Sequence, residues 1–209
     1  MNILFNKLTE LRGSSIGELV NTRLGEFKKL GNDSNGELFS ELCFCLLTAN
    51  SKASTALKIQ EDLGVNGFLN ANVNEVSNCI KSNKHRFHNN KADYIIGARK
   101  YSNIKEIISK FDDAKDLRVW FVKDVKGLGY KEASHFLRNI GFTDVAIVDR
   151  HILRVLQEHG FIEKIPSSIT KKEYLRIEGV LEQIAKRNNM SLAELDLYLW
   201  YMKTGKVLK

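Results

Sequence analysis

Two residues of this sequence, Lys131 and Asp149, have types and settings that could carry covalent chemistry. Lys131 lies in "KGLGYKEASHFLRNIG", residues 126–141, two places after the second of two glycines and at the start of a helical pattern. The first turn of a helix is the positive end of its dipole, where a cation is disfavoured. A purely structural lysine would be better placed elsewhere. A neutral amine at such a position is a nucleophile able to form a Schiff base with a sugar carbon. The plain alternative is a solvated lysine on a basic protein. Asp149 follows in "AIVDRHILRVL", residues 146–156. It precedes a helical pattern and so reads as an N-cap. The dipole there favours its negative charge. Such a carboxylate could stabilise positive charge on a sugar, or help orient an amine.

The glycines supply a second kind of chemistry. Gly127 and Gly129 are expected to adopt backbone angles closed to other residues and to bring main-chain N–H groups to the surface. With the N-terminus of the following helix, these donors make an anion site suited to a phosphate. A contact of that kind positions DNA without reading its sequence. The alternative is a sharp helix–helix turn with no ligand. His151 and Arg154 follow Asp149 on one helix, where they could reach phosphates or simply decorate a surface.

The elements that must position these residues read as helices. One helix is expected from Lys131 to Ile140, then a turn at Gly141, a path that can fold back so that Lys131 and Asp149 face one cleft. Leu38, Phe39, Leu42, Cys45 and Leu46 fall on one helical face, as do Ala133, Phe136, Leu137 and Ile140. Ile152, Val155 and Leu156 repeat the pattern, and so do Leu192, Leu195, Leu199 and Met202. Ser34 with Glu37, Thr170 with Glu173, and Ser191 with Glu194 have the spacing of capping boxes. Gly141 and Gly160 stand where helices need left-handed stops. Pro166 is the only proline, so long helices run largely uninterrupted. The fold class expected is all-α, with roughly ten helices.

Composition narrows the setting. The chain has 209 residues and a formal net charge of +7, compatible with a polyanionic partner. It suits one large domain or two small ones sharing a cleft. Its three cysteines, Cys43, Cys45 and Cys79, include no C-x-x-C pair. A disulfide framework or cysteine-ligated metal is therefore not expected. No apolar run approaches a membrane span and no signal peptide opens the chain, so a cytoplasmic protein is expected. Trp200 would be core by default, but it lies about 100° around the helix from Leu199, off the apolar stripe. Phe87 sits in "KHRFHNNK", a basic setting in which an aromatic ring could stack on a base.

The run "KGLGYKEASHFLRNIG", followed by "VDRHILR", resembles the helix-hairpin-helix signature of the DNA glycosylase superfamily. "ELCFCLLTANSKAS", "HRFHNNKADYI" and "LDLYLWYMKTGKVLK" extend the resemblance over most of the chain, towards the archaeal-type 8-oxoguanine DNA glycosylases. The resemblance implies two helical subdomains flanking a DNA-binding cleft, with the hairpin motif at about 117–141. It implies a bifunctional glycosylase and AP lyase that excises 8-oxoguanine from duplex DNA, acting as a monomer without a cofactor or catalytic metal. Lys131 matches the family nucleophile and Asp149 its aspartate. Phe87 and Trp200 match the aromatic residues that sandwich the flipped base. Lys209 matches a residue of the base pocket, with its carboxylate as an acceptor. Asn50 matches a residue that enters the duplex gap. The backbone carbonyls of Lys123, Val125 and Leu128 match a monovalent cation site. The superfamily's four-cysteine iron–sulfur loop is absent, and Ile147 replaces a proline found in some branches. Two other readings stay open: the same fold acting on another oxidised base, and a helix-hairpin-helix DNA-binding protein without chemistry.

Overall fold

The computed structural model describes residues 2–209. In chain order its elements are α1 (Asn2–Arg12), α2 (Ser15–Gly31), α3 (Asn35–Thr48), α4 (Ala53–Asn70), α5 (Val73–Ser82) and α6 (His88–Ala98). A single 3₁₀ turn (Arg99–Tyr101) leads to α7 (Ile104–Ile108), α8 (Ala114–Asp124), α9 (Tyr130–Asn139), α10 (Arg150–Glu158), α11 (Lys171–Arg187) and α12 (Leu192–Thr204). There is no strand among the described residues, as the apolar periodicity required. The described helices number twelve, not roughly ten. Part of the surplus is α7, whose five residues are too few to show an apolar repeat. In addition α4 is broken inside by Gly64, at φ 57° and ψ −177°. No described helix is long and apolar enough to cross a membrane.

The helices gather into two compact units, one of residues Leu30–Ile140 and one of the residues up to Lys29 together with Gly141–Lys209. The first is built around α3, which is buried from Leu38 to Thr48 and packs against α4, α6, α7 and α9. A helix covered on all sides needs no polar face, which is why "LCFCLL" is apolar all round. Cys43 and Cys45 are fully buried within it, and burial pushes the Cys43 thiol well up. Glu41 is the charged exception in this buried stretch, a carboxylate at 1 % exposure. It is tied to α9, because Asn139 Nδ2 donates to Glu41 Oε1 at 2.6 Å while Asn139 Oδ1 accepts from Arg138 Nε and Nη2 at 3.1 and 2.8 Å. Gln60 Nε2 adds a bond to Glu41 Oε2 at 3.3 Å. A buried carboxylate and guanidinium are thus joined through one amide, which satisfies groups that would be costly alone.

The same unit contains the hairpin helices. Arg118 of α8, 1 % exposed, donates to Ser134 Oγ of α9 at 3.1 Å and lies over the Tyr130 ring at 5.2 Å. Phe121 and Phe136 pack edge to face with centroids 5.0 Å apart. Asp113 caps α8: its Oδ1 accepts the N–H groups of Lys115 and Asp116 at 2.7 and 3.0 Å.

In the second unit α10 and α11 both pack on α12, and α1 joins through Arg12, which donates to the Asn188 carbonyl at 3.2 Å and pairs with Glu194 at 3.3 Å. All three expected N-caps form, with Ser34, Thr170 and Ser191 accepting from Glu37, Glu173 and Glu194. The return arms of the boxes are replaced. Asp33 takes the Ser34 N–H, Glu173 turns to Arg176, and Glu194 turns to Arg12; in the last two a nearby cation outcompetes a backbone N–H for the carboxylate. The reciprocal box forms instead at Asn72 and Glu75. Gly141 and Gly160 have φ of 96° and 73°, the left-handed stops expected of them.

Asn139→Ala removes the amide that links Glu41 to Arg138. Urea denaturation should show a loss of about 1.5–3 kcal/mol, the range for a hydrogen bond to a charged group.

Candidate active site

Lys131 occupies the second position of α9, and its side chain is 31 % exposed. Its Nζ lies 3.4 Å from Glu132 Oε1. The other oxygen, Glu132 Oε2, accepts the Gly129 N–H at 3.3 Å. One carboxylate at the helix start therefore compensates a cation that the dipole disfavours and closes a free backbone donor. Glu132 is not among the residues that the hairpin motif marks. Its position three residues after the N-cap glycine is the spacing of a box in which only the carboxylate arm can exist, so the signal is present in the sequence.

The two hairpin glycines differ. Gly127 has φ +96°, and a Cβ there would stand 2.3 Å from Cδ2 of Tyr94, so both backbone and space require glycine. Gly129 has φ −95° and ψ −178°, ordinary extended angles open to any residue. The expectation that both need special angles fails for Gly129, where a Cβ would meet only the Glu132 carboxylate, at 3.0 Å. Nor is its N–H an open donor, since Glu132 holds it. Of the carbonyls assigned to a cation, that of Val125 accepts the Leu128 N–H at 3.2 Å and keeps a second lone pair. Lys123 lies in the last turn of α8, where carbonyls run out of intrahelical partners.

A second amine borders this site. Lys91 of α6 is 5 % exposed and donates to the Leu46 carbonyl, in the last turn of α3, where the dipole favours a cation. Burial pushes its pKa from 10.5 down to about 8, with the Glu132 carboxylate opposing the fall and the Lys131 charge adding to it. Beside it, His85 fixes the approach to α6. Its Nδ1 accepts the Phe87 N–H at 3.2 Å, which leaves Nε2 to donate to the Leu47 carbonyl at 3.0 Å. This is the neutral tautomer, and burial lowers the His85 pKa in accord with it. Phe87 is thereby held at the start of α6, half-buried, with the Arg86 guanidinium 4.6 Å from its ring centre. Asn50 is exposed in the turn after α3 at φ +60°, a left-handed conformation that asparagine tolerates. Lys91 acts through a contact distant in sequence, as does His85 at the Leu47 carbonyl.

Asp149, in the other unit, caps α10. Its Oδ1 accepts from the N–H groups of both His151 and Ile152 at 2.8 Å. The cap occupies one oxygen and leaves Oδ2 for other work. The His151 ring packs edge to face on Trp200 with centroids 4.7 Å apart. Trp200 is half-buried, off the buried face formed by Leu192, Leu195 and Leu199, as its helical angle required. Its Nε1 is buried without a hydrogen-bond partner among the described residues. Arg154 is exposed and Lys209 half-buried. The structure thus groups Lys131, Phe87, Asn50 and the hairpin in one unit, and Asp149, His151, Arg154, Trp200 and Lys209 in the other.

Residues 20–190 match a family model described as 8-oxoguanine DNA glycosylase. The chain is 48% identical over 207 residues to the 8-oxoguanine DNA glycosylase/AP lyase of Methanocaldococcus jannaschii, covering 99% of this chain and 100% of that protein. A crystal structure of the M. jannaschii 8-oxoguanine glycosylase/lyase in complex with a 15mer DNA containing 8-oxoguanine superposes with a TM-score of 0.96 at 47% identity, over 99% of this chain and 100% of that one. The 8-oxoguanine DNA glycosylase of Thermotoga maritima gives a TM-score of 0.92 at 38% identity, over 100% of this chain and 99% of that one.

Two consequences of this geometry can be measured. Glu132→Gln keeps an acceptor for Gly129 but removes the charge. It should cost about 0.3–1 kcal/mol of stability, and it should tighten binding to an undamaged duplex in anisotropy titrations at one fixed salt concentration, because a carboxylate beside the hairpin repels phosphate. Lys91 gives a pH signature. Unfolded, it keeps its proton up to the ordinary 10.5, whereas folded it releases it near 8. Between those values the unfolded chain binds more protons, so stability should rise with pH across that window. Urea midpoints should show that rise, and Lys91→Met should flatten it.

Proposed function

The chain belongs to the 8-oxoguanine DNA glycosylase family, and from that premise we propose that it is a bifunctional glycosylase and AP lyase that removes 8-oxoguanine from duplex DNA. The observation that carries this reading is the Lys131 amine, partly exposed beside Glu132 at the start of the helix behind the hairpin. Basic side chains and the Gly127 N–H of the hairpin hold phosphates. The damaged nucleotide leaves the stack for a pocket to which Phe87, Trp200 and Lys209 are assigned. Asn50 fills the space it leaves. Arg154 stands near the phosphates, and His151 supports Trp200. One chain supplies every group assigned, so a monomer suffices.

Lys131 Nζ attacks C1′ of the deoxyribose. The bond from C1′ to N9 breaks, and the departing base takes a proton. The C1′–O4′ bond then opens to give an imine between Lys131 and the sugar. Loss of a proton from C2′ expels the 3′ phosphate and cuts the strand, and water releases the enzyme. Bonds to carbon are exchanged without net oxidation, so no redox cofactor is required. Asp149, with Oδ2 not taken by its cap, stabilises the cationic sugar as the base departs.

Discrimination from guanine must use what differs between the bases, an oxygen at C8 and a hydrogen on N7. An acceptor facing N7 favours the lesion, because with guanine two acceptors would meet unpaired. A backbone carbonyl lining the pocket can be that acceptor.

Incision of a duplex containing a single 8-oxoguanine tests the whole reading. The wild type should release the base and nick the strand, Lys131→Gln should do neither, and Asp149→Asn should slow base release by about 100-fold, the usual cost of one electrostatic contact to a transition state. Robust nicking by Lys131→Gln would overturn the assignment.

A further inference from the structure

Asp149 is fixed from both sides along the chain. Downstream, its Oδ1 caps α10, but a helix and its own cap move as one piece. Upstream lies Val145–Val148, a buried segment outside any helix or strand. Backbone groups there have no ladder to join and must be satisfied by other means. Two side chains one turn apart on α11 do this. The Tyr174 hydroxyl donates to the Ala146 carbonyl at 2.6 Å and accepts the Val148 N–H at 3.3 Å. Glu178 Oε1 accepts the Ala146 N–H at 2.9 Å. Both residues are 2 % exposed. Both backbone groups of Ala146 and the N–H of Val148, the residue before Asp149, are therefore bound to α11.

We infer that Tyr174 and Glu178 are positioning residues for Asp149, binding the backbone before it so that its free oxygen stays aimed at the reacting sugar. The inference rests on the reading of Asp149 as the carboxylate that stabilises the cationic sugar. The hydroxyl is used as both donor and acceptor, which fixes its rotor and leaves little slack in the segment. Val148 is one peptide bond from the carboxylate-bearing residue, so a shift of that peptide moves Oδ2 directly. Misplacements of an ångström are enough to cost a catalytic contact most of its effect. A buried carboxylate is an expensive acceptor for a backbone N–H if stability were the only demand.

A double-mutant cycle separates this role from a structural one. Tyr174→Phe should lower the single-turnover rate of 8-oxoguanine release about tenfold, with the dissociation constant for the lesion duplex unchanged. In the Asp149→Asn background the same change should have no further effect, because there is no carboxylate left to aim. Glu178→Ala should slow release and Glu178→Gln, which keeps an acceptor, should restore it. Equal fractional losses in both backgrounds, or a full rate in Tyr174→Phe, would overturn the inference. If Tyr174→Phe melts too low to assay, the Glu178→Ala and Glu178→Gln pair decides the same question, and equal rates for the two would overturn it. A slow Asp149→Asn beside an unaffected Tyr174→Phe defeats this inference alone, whereas a fast Asp149→Asn defeats the reading of Asp149 as well.

Discussion

The Lys131 ammonium stands at the end of a helix that repels it, and Glu132 makes that placement tolerable. The carboxylate lies 3.4 Å from the amine and binds the Gly129 N–H with its other oxygen. Helix α9 is anchored by buried polar bonds as well as by packing. Arg118 grips it near the start through Ser134 and Tyr130, and Asn139 ties its end to Glu41 of α3. Phe121 against Phe136 closes the gap between the hairpin helices. The amine is held by one helix that two neighbours, α3 and α8, have fixed.

Asp149 obeys the opposite electrostatics. A carboxylate at a helix start is favoured by the dipole, and the cap it makes is a stable feature in any protein. What is unusual is the rest of its setting. One oxygen is committed to two N–H groups, and the backbone before it is bound by Tyr174 and Glu178. The two charged residues thus sit at two helix starts for different reasons. One is a stable cap with an oxygen to spare, and the other is a disfavoured cation with a compensating neighbour.

Much of this is legible in the sequence through local rules. The apolar stripe of α9 and the left-handed stops at Gly141 and Gly160 follow from periodicity and backbone freedom, and the structure has them. The Asp149 cap is equally legible. Gly129 departs from expectation because a glycine beside a turn suggests positive φ, whereas its backbone is extended and its N–H is held by Glu132. The capping boxes form by half for a related reason: spacing marks the cap, but the return arm competes with cations such as Arg12 that only tertiary structure brings near. Lys91, Tyr174 and Glu178 carry no local signal, since each acts on backbone groups 26 or more residues away, and His85 reaches as far to the Leu47 carbonyl. The long resemblance at residues 126–154 points to the family more directly than any spacing argument, and the relatives found agree with it.

Lys131 is not the sole amine at the site, because Lys91 lies in the same unit with its pKa lowered to about 8. The most direct test is therefore to reduce the reaction on an 8-oxoguanine duplex with borohydride, digest the trapped complex and locate the sugar remnant by peptide mass mapping. The remnant should lie on Lys131 alone. A remnant on Lys91, or on any other lysine of the wild-type protein, would contradict the assignment of Lys131 as the nucleophile.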